Sequence, residues 1–127
     1  MIKQWLVAAC VVVTSLGVAE AQSKKGANGG QMASSQGHPI EFVSKEQEIV
    51  FYLSDDDGSP LQTKGMRGRA TVQDSGKTTT VALQPAAPNM MVGKLQTPLS
   101  QKARVVFSAT LKEGGHTHTL TARYVTD

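Results

Sequence analysis

Between residues 103 and 111 apolar and polar side chains alternate cleanly, with Val105, Phe107, Ala109 and Leu111 on one parity. Side chains two apart in an extended chain share a face, so this pattern suits a half-buried β-strand and no helix. The rest of the chain after Pro39 has the same character: short runs rich in Val, Ile, Phe, Tyr and Thr, separated by turn residues. Ile40–Val43 and Glu48–Ser54 form two such runs, and the second places Ile49, Phe51 and Leu53 on one face. Val50 and Tyr52 make its other face apolar too, as expected of a strand inside a sheet. Arg69–Gln73 and Thr78–Leu83 flank the turn signal Asp74-Ser75-Gly76-Lys77 and read as a hairpin. Met90–Leu95 follows a Pro85–Pro88 break, and Ala103–Leu111 is joined to His116–Val125 by Lys112-Glu113-Gly114-Gly115. About seven antiparallel strands with regular turns predict an all-β fold, a single Ig-like β-sandwich. The core expected from these faces is Ile49, Phe51, Leu53, Val72, Val81, Val105, Phe107, Leu120 and Tyr124.

What precedes the strands divides in two. Lys3, an apolar run from Trp5 to Val18 and the small-x-small triplet Ala19-Glu20-Ala21 have the order of a secretory signal peptide over 1–21. The apolar run is shorter than a membrane span requires, so the mature chain is expected to be exported, periplasmic and without a membrane span. Val7-Ala8-Ala9-Cys10 resembles a lipoprotein cleavage box, but only nine residues precede Cys10 and the apolar run continues beyond it, which favours cleavage after Ala21. Residues 22–37 are Lys, Gly, Ser, Asn and Gln with Ala27, Met32 and Ala33, too polar to offset chain entropy, and read as a flexible leader to a domain over 38–127. The antibody-type Cys and Trp are missing from that domain, because Cys10 and Trp5 both belong to the signal. The fold would therefore be Ig-like in architecture only, and it has no disulfide to lean on.

Charge excludes one class of partner. Thirteen Lys/Arg against ten Asp/Glu give a net +3, and the basic residues are scattered without interleaved aromatics. That is not the footprint of a nucleic-acid binder. Enzyme arrangements are also missing. The mature chain has no cysteine nucleophile, no nucleophile elbow and no zinc-protease helix motif, so the chain is read as no enzyme, with a hydrolase ranked last among the alternatives.

The residues that suggest chemistry are histidines. His116-Thr117-His118 puts two imidazoles on one face of a strand, about 7 Å apart at Cα, sharing parity with Leu120, Ala122 and Tyr124. Two imidazoles so placed can converge on Cu, Zn or Ni. The plainer reading is a solvated strand end. His38 is a candidate third ligand where the leader meets the first strand, against the plainer reading of an exposed residue before Pro39. Among Met32, Met66, Met90 and Met91, Met66 is the expected exposed thioether, and a His/Met set without cysteine favours copper over zinc or nickel. Met90 and Met91 lie in a strand, where at least one is expected in the core. Asp55-Asp56-Asp57-Gly58 invites a calcium reading, but with Gly58 at loop position six, positions one and twelve fall on Leu53 and Lys64, neither a ligand.

Gly29-Gly30-Gln31-Met32, Gly37-His38-Pro39-Ile40-Glu41-Phe42-Val43, Glu48–Leu53, Asp57-Gly58-Ser59-Pro60-Leu61 and Asn89–Lys94 together resemble a family of small bacterial periplasmic domains associated with heavy-metal tolerance and efflux. The resemblance implies an Ig-like fold, a metal-handling setting and a metal-efflux or other envelope protein as partner. Of the candidate ligands only His38 lies in a block it covers. The reading is a periplasmic metal-binding or metal-handling accessory protein, copper favoured. The alternative is a non-catalytic envelope module docking through a sheet edge. The exported protein is expected to begin at Gln22. Its intact mass checks this, and a diacylated species starting at Cys10 would overturn it.

Overall fold

The computed structural model describes residues 25–127, so the expected signal peptide over 1–21, with Cys10, lies outside the described residues. Eight strands form: β1 (Gln31–Ser35), β2 (His38–Lys45), β3 (Glu48–Leu53), β4 (Arg67–Asp74), β5 (Lys77–Ala86), β6 (Met90–Lys94), β7 (Arg104–Glu113) and β8 (His116–Val125). The expectation of an all-β antiparallel fold holds. The expectation of about seven strands in an Ig-like sandwich does not describe the result. All eight strands belong to one sheet in the order β1-β2-β3-β6-β5-β4-β7-β8, and that sheet curls until its two edges face each other.

Three tight hairpins drive the curl. Gln36-Gly37, Ser75-Gly76 and Gly114-Gly115 all have positive φ at both turn residues, the mirror-image turns whose twist matches that of paired strands. The long strand β5 supplies the corner. Its first part pairs with β4, from Lys77↔Asp74 to Leu83↔Gly68. Its last part, Gln84–Ala86, pairs with β6. Pro85 sits in that last part, as expected where a ladder is short and interrupted.

The edges meet without a backbone ladder. Across the seam the Gln31 amide donates to the Val125 carbonyl at 2.7 Å. The Gln36 amide donates to the Thr119 carbonyl at 2.9 Å, and the Ser35 hydroxyl accepts the Thr121 N–H at 3.0 Å. Here the structure corrects the expected leader over 22–37 in its described part, residues 25–37. Residues 31–35 form β1, and the polar side chains that made this segment look unstructured are the ones that bridge the seam. Residues 26–30 lie over the outer face of β2. The buried Glu41 carboxylate accepts the Asn28 N–H at 2.9 Å, the Asn28 side-chain amide at 3.0 Å and the Gly30 N–H at 2.7 Å. A buried carboxylate is tolerated only with such partners. Gly30 is obligatory here, since a Cβ would collide with the Phe42 carbonyl oxygen.

The interior is filled from alternate positions of every long strand. All nine core residues expected from the alternation are buried. At the centre Phe51 stacks on Phe107 with centroids 4.6 Å apart. Phe42 lies 5.3 Å from Phe51 and 5.0 Å from Tyr124. The Tyr124 hydroxyl donates to the Ile40 carbonyl at 2.8 Å. Burial, and secondly the Glu41 charge, push the Tyr124 phenol well above its ordinary pKa, so it remains a donor at any physiological pH.

Phe107→Ala is expected to cost about 3–5 kcal/mol in denaturant unfolding. Glu41→Ala, which strips the Asn28 and Gly30 N–H groups of their acceptor, is expected to cost about 1–3 kcal/mol. A loss below about 0.5 kcal/mol for Glu41→Ala would show that segment 26–30 is not held by this carboxylate.

Candidate functional site

One end of the barrel gathers the chain's histidines. His38 is the first residue of β2, and the register Ile40↔Leu53 sets the end of β3 beside it. The Ser54 N–H donates to the Pro39 carbonyl at 2.9 Å, which carries Asp55 next to His38. From the other side of the seam, the Gln36–Thr119 bond draws the start of β8 toward the β1–β2 turn. The β7–β8 register Leu111↔His118 and Glu113↔His116 then delivers Glu113 and both histidines to the same end. Arg67↔Thr110 places the start of β4, with Met66 just before it, there too.

The result is a set of nitrogen and oxygen donors at the barrel mouth. One ligand atom each from His38, Asp55 and Glu113 lie within 4.8 Å of one another. His38 Nδ1 is 3.7 Å from an Asp55 carboxylate oxygen and 3.0 Å from the Ser54 carbonyl. A carbonyl only accepts, so in the neutral ring the proton sits on Nδ1 and the lone pair is on Nε2. His118 Nε2 lies 3.9 Å from a Glu113 oxygen. The His38 side chain is 9% exposed while that of Asp55 is 42% exposed, and those of His118 and Glu113 are 39% and 49% exposed. The cluster is thus anchored at one buried imidazole and open to water on its other side. Such a set suits a divalent cation that accepts imidazole and carboxylate.

The four residues expected from sequence fare differently. The sequence expects His38 as a third ligand or, in the plainer reading, as an exposed residue before Pro39. It is buried, because at the start of β2 it shares the inward parity of Ile40 and Phe42. His118 is half-buried and faces Glu113. His116 stands opposite Glu113 in the register but is exposed. Met66 was the expected exposed thioether, and it is only 8% exposed and packed in the core. Its N–H donates to the Thr63 carbonyl at 2.8 Å, turning the side chain inward under the β3–β4 connection. That connection plugs this end of the barrel through fully buried Thr63, whose hydroxyl donates to the Met90 carbonyl at 2.9 Å. Of the strand pair Met90 and Met91, Met91 is fully buried, as expected of at least one.

Sequence reasoning missed Glu113 and gave Asp55 only a calcium role. The signal for Glu113 was present, since it shares parity with Ala109 and Leu111 and therefore points to the inner side of the strand end. Asp55 had none, because its place depends on the β2–β3 register. Its neighbour Asp57 is a turn residue, accepting the Ser59 hydroxyl at 2.6 Å and the Ser59 N–H at 3.0 Å. These bonds hold the Asp57 carboxyl below its ordinary range. A carboxyl with a depressed folded-state pKa stabilises above its unfolded value and loses that contribution as pH falls through the folded one.

Comparison with protein-family models, with curated proteins and with solved structures finds no match to the chain.

His38→Ala removes a buried ring and its bond to the Ser54 carbonyl, and is expected to lower the stability of the metal-free domain by about 1–3 kcal/mol. His116→Ala is expected to change it by less than about 0.5 kcal/mol. Urea unfolding of the two variants in chelator checks the contrast, and equal losses would contradict the packing described.

Proposed function

We propose that the protein is a periplasmic, non-catalytic metal-handling accessory domain that holds a divalent cation at its barrel mouth. The observation that carries the reading is the convergence of His38, Asp55 and Glu113 within 4.8 Å, with His118 beside Glu113 as a fourth donor. These residues come from three separate parts of the chain: the start of β2, the turn after β3, and the β7–β8 hairpin. The His38 Nδ1 bond to the Ser54 carbonyl fixes the orientation of the ring, the kind of support that a ligating imidazole has. The resemblance of the Gly37–Val43 block to heavy-metal tolerance domains and the signal-like order of residues 1–21 supply the setting, export to a compartment where a metal-efflux or other envelope protein is the partner.

The choice of metal moves away from the sequence expectation. Copper was favoured because a thioether prefers Cu(I). With Met66 in the core, the donors left at the mouth are imidazole and carboxylate, which suit Cu(II), Zn(II) or Ni(II). His38, Asp55 and Glu113 would supply three positions, and His118, 3.9 Å from Glu113, is near enough to join them by a small rotation of its side chain.

Melting series with Cu(II), Zn(II) and Ni(II) test the reading. Bound metal at a hundredfold excess over its Kd is expected to stabilise the domain by about 2.7 kcal/mol. Glu113→Ala and His118→Ala each remove most of that gain, and the gain is read against each variant's own metal-free melting point. His116→Ala, with its exposed ring, keeps it. The ligands bind deprotonated, so the gain shrinks as pH is lowered. An unchanged wild-type melting temperature with all three metals would overturn the proposal.

A further inference from the structure

At the opposite end of the barrel the sheet is left open. Between Lys77 and Ala82, β5 has β4 on one side, but its pairing with β6 starts only at Gln84. In an antiparallel ladder alternate residues turn their N–H and C=O groups to opposite sides. About half of the backbone groups along Lys77–Ala82 therefore point away from β4, where no strand lies among the described residues. A groove of about 770 Å³ runs along this edge. Its far wall is the β6–β7 loop, residues 95–100, and its lining includes the core side chains Val72 and Val81 together with Leu99.

The loop wall is held in place. One Asp74 oxygen accepts the Ser100 N–H at 2.9 Å, and the other accepts the Ser75 hydroxyl at 3.1 Å. Asp74 is the one carboxylate lining the groove, and both its oxygens are engaged. Lys77 and Lys94 line it as well. Glu48, the register partner of Lys94 on β3, does not line it. The groove thus combines an unpaired strand edge, an apolar floor and two cations with no free anion between them.

We propose that this groove receives an extended peptide segment of a partner protein, added as a strand to β5. Backbone groups of the peptide pair with the open edge. Alternate apolar side chains enter toward Val81 and Leu99, and acidic side chains sit beside Lys77 and Lys94. This is strand addition, in which main-chain hydrogen bonds give affinity and pockets for alternate side chains give specificity. The loop wall favours a single strand over the edge of another sheet, and so a peptide over a second copy of this chain. No aromatic side chain lines the groove to stack a base. The proposal is independent of the metal site, which lies at the other end.

The probe is a displayed library of octapeptides alternating Val or Thr with random residues, selected on the chain covering 22–127. Selected peptides are expected to carry Asp or Glu at their ends. On the isotope-labelled protein they slow amide exchange along Lys77–Ala82 and shift residues 95–100, without moving Glu113 or His118. The Lys77→Gln, Lys94→Gln double variant, which sets no like charge opposite Asp74 or Glu48, is expected to weaken binding about fivefold at unchanged melting temperature. Peptides N-methylated at alternate nitrogens on the pairing side fail to bind. The proposal is overturned if selection yields no peptide that protects β5 amides at millimolar concentration. It is equally overturned if N-methylation has no effect, or if the edge is protected instead by concentration-dependent dimerisation of the protein alone, read by sedimentation.

Discussion

The contact between Phe51 and Phe107, and the Phe42 and Tyr124 rings around it, is what the barrel is built on. The chain has only three phenylalanines and two tyrosines, and four of these five rings meet in one cluster. They come from β2, β3, β7 and β8, so the cluster joins the two ends of the sheet order across the interior. With Ile40, Leu120 and Ala122 packed into the same cluster, the rings supply most of the apolar area that draws β2 toward β8, since the seam itself has no backbone ladder. The seam bonds at Gln31, Ser35 and Gln36 then fix the relative position of two edges that the aromatic rings have already brought near. The barrel mouth inherits its geometry from this closure, since His38 and Glu113 lie on opposite sides of the seam.

The secondary structure was legible because it rests on local rules. Alternation at Val105, Phe107, Ala109 and Leu111 names the inner face of β7 with no knowledge of its neighbours, and Ser75-Gly76 and Gly114-Gly115 announce their hairpins. β1 was illegible for an equally physical reason. Its sequence, Gln31-Met32-Ala33-Ser34-Ser35, is poor in the residues that favour strands, and it is a strand because β2 and the seam give its polar groups partners. Gln36-Gly37 lacks the Asn or Asp that usually marks such a turn, so the hairpin that creates the strand passed for linker. The same error moved His38 from the core to the surface.

The candidate site was half legible. Parity alone assigned His116 and His118 to one face, but parity does not say how far the core reaches toward a strand end, and only His118 is drawn in. Met66 looked exposed because Lys64-Gly65-Met66-Arg67-Gly68 is a polar stretch, yet the long β3–β4 connection has to cross the barrel end, and one apolar residue on it seals that end. The convergence of His38 with Asp55 and Glu113 depends on two strand registers and a seam, none of them visible in one dimension.

The Gln31–Val125 bond has a topological corollary. It sets the beginning of β1 and the end of β8 side by side, at the end of the barrel away from the histidines. A barrel whose first and last strands meet at a seam behaves as a cassette. Both strand ends can be spliced into the surface loop of a host protein, or joined to each other with a new break cut at an exposed turn such as Ser75-Gly76, without re-threading the sheet. In either arrangement the mouth carrying His38, Asp55, Glu113 and His118 is held outward, clear of whatever the barrel is attached to.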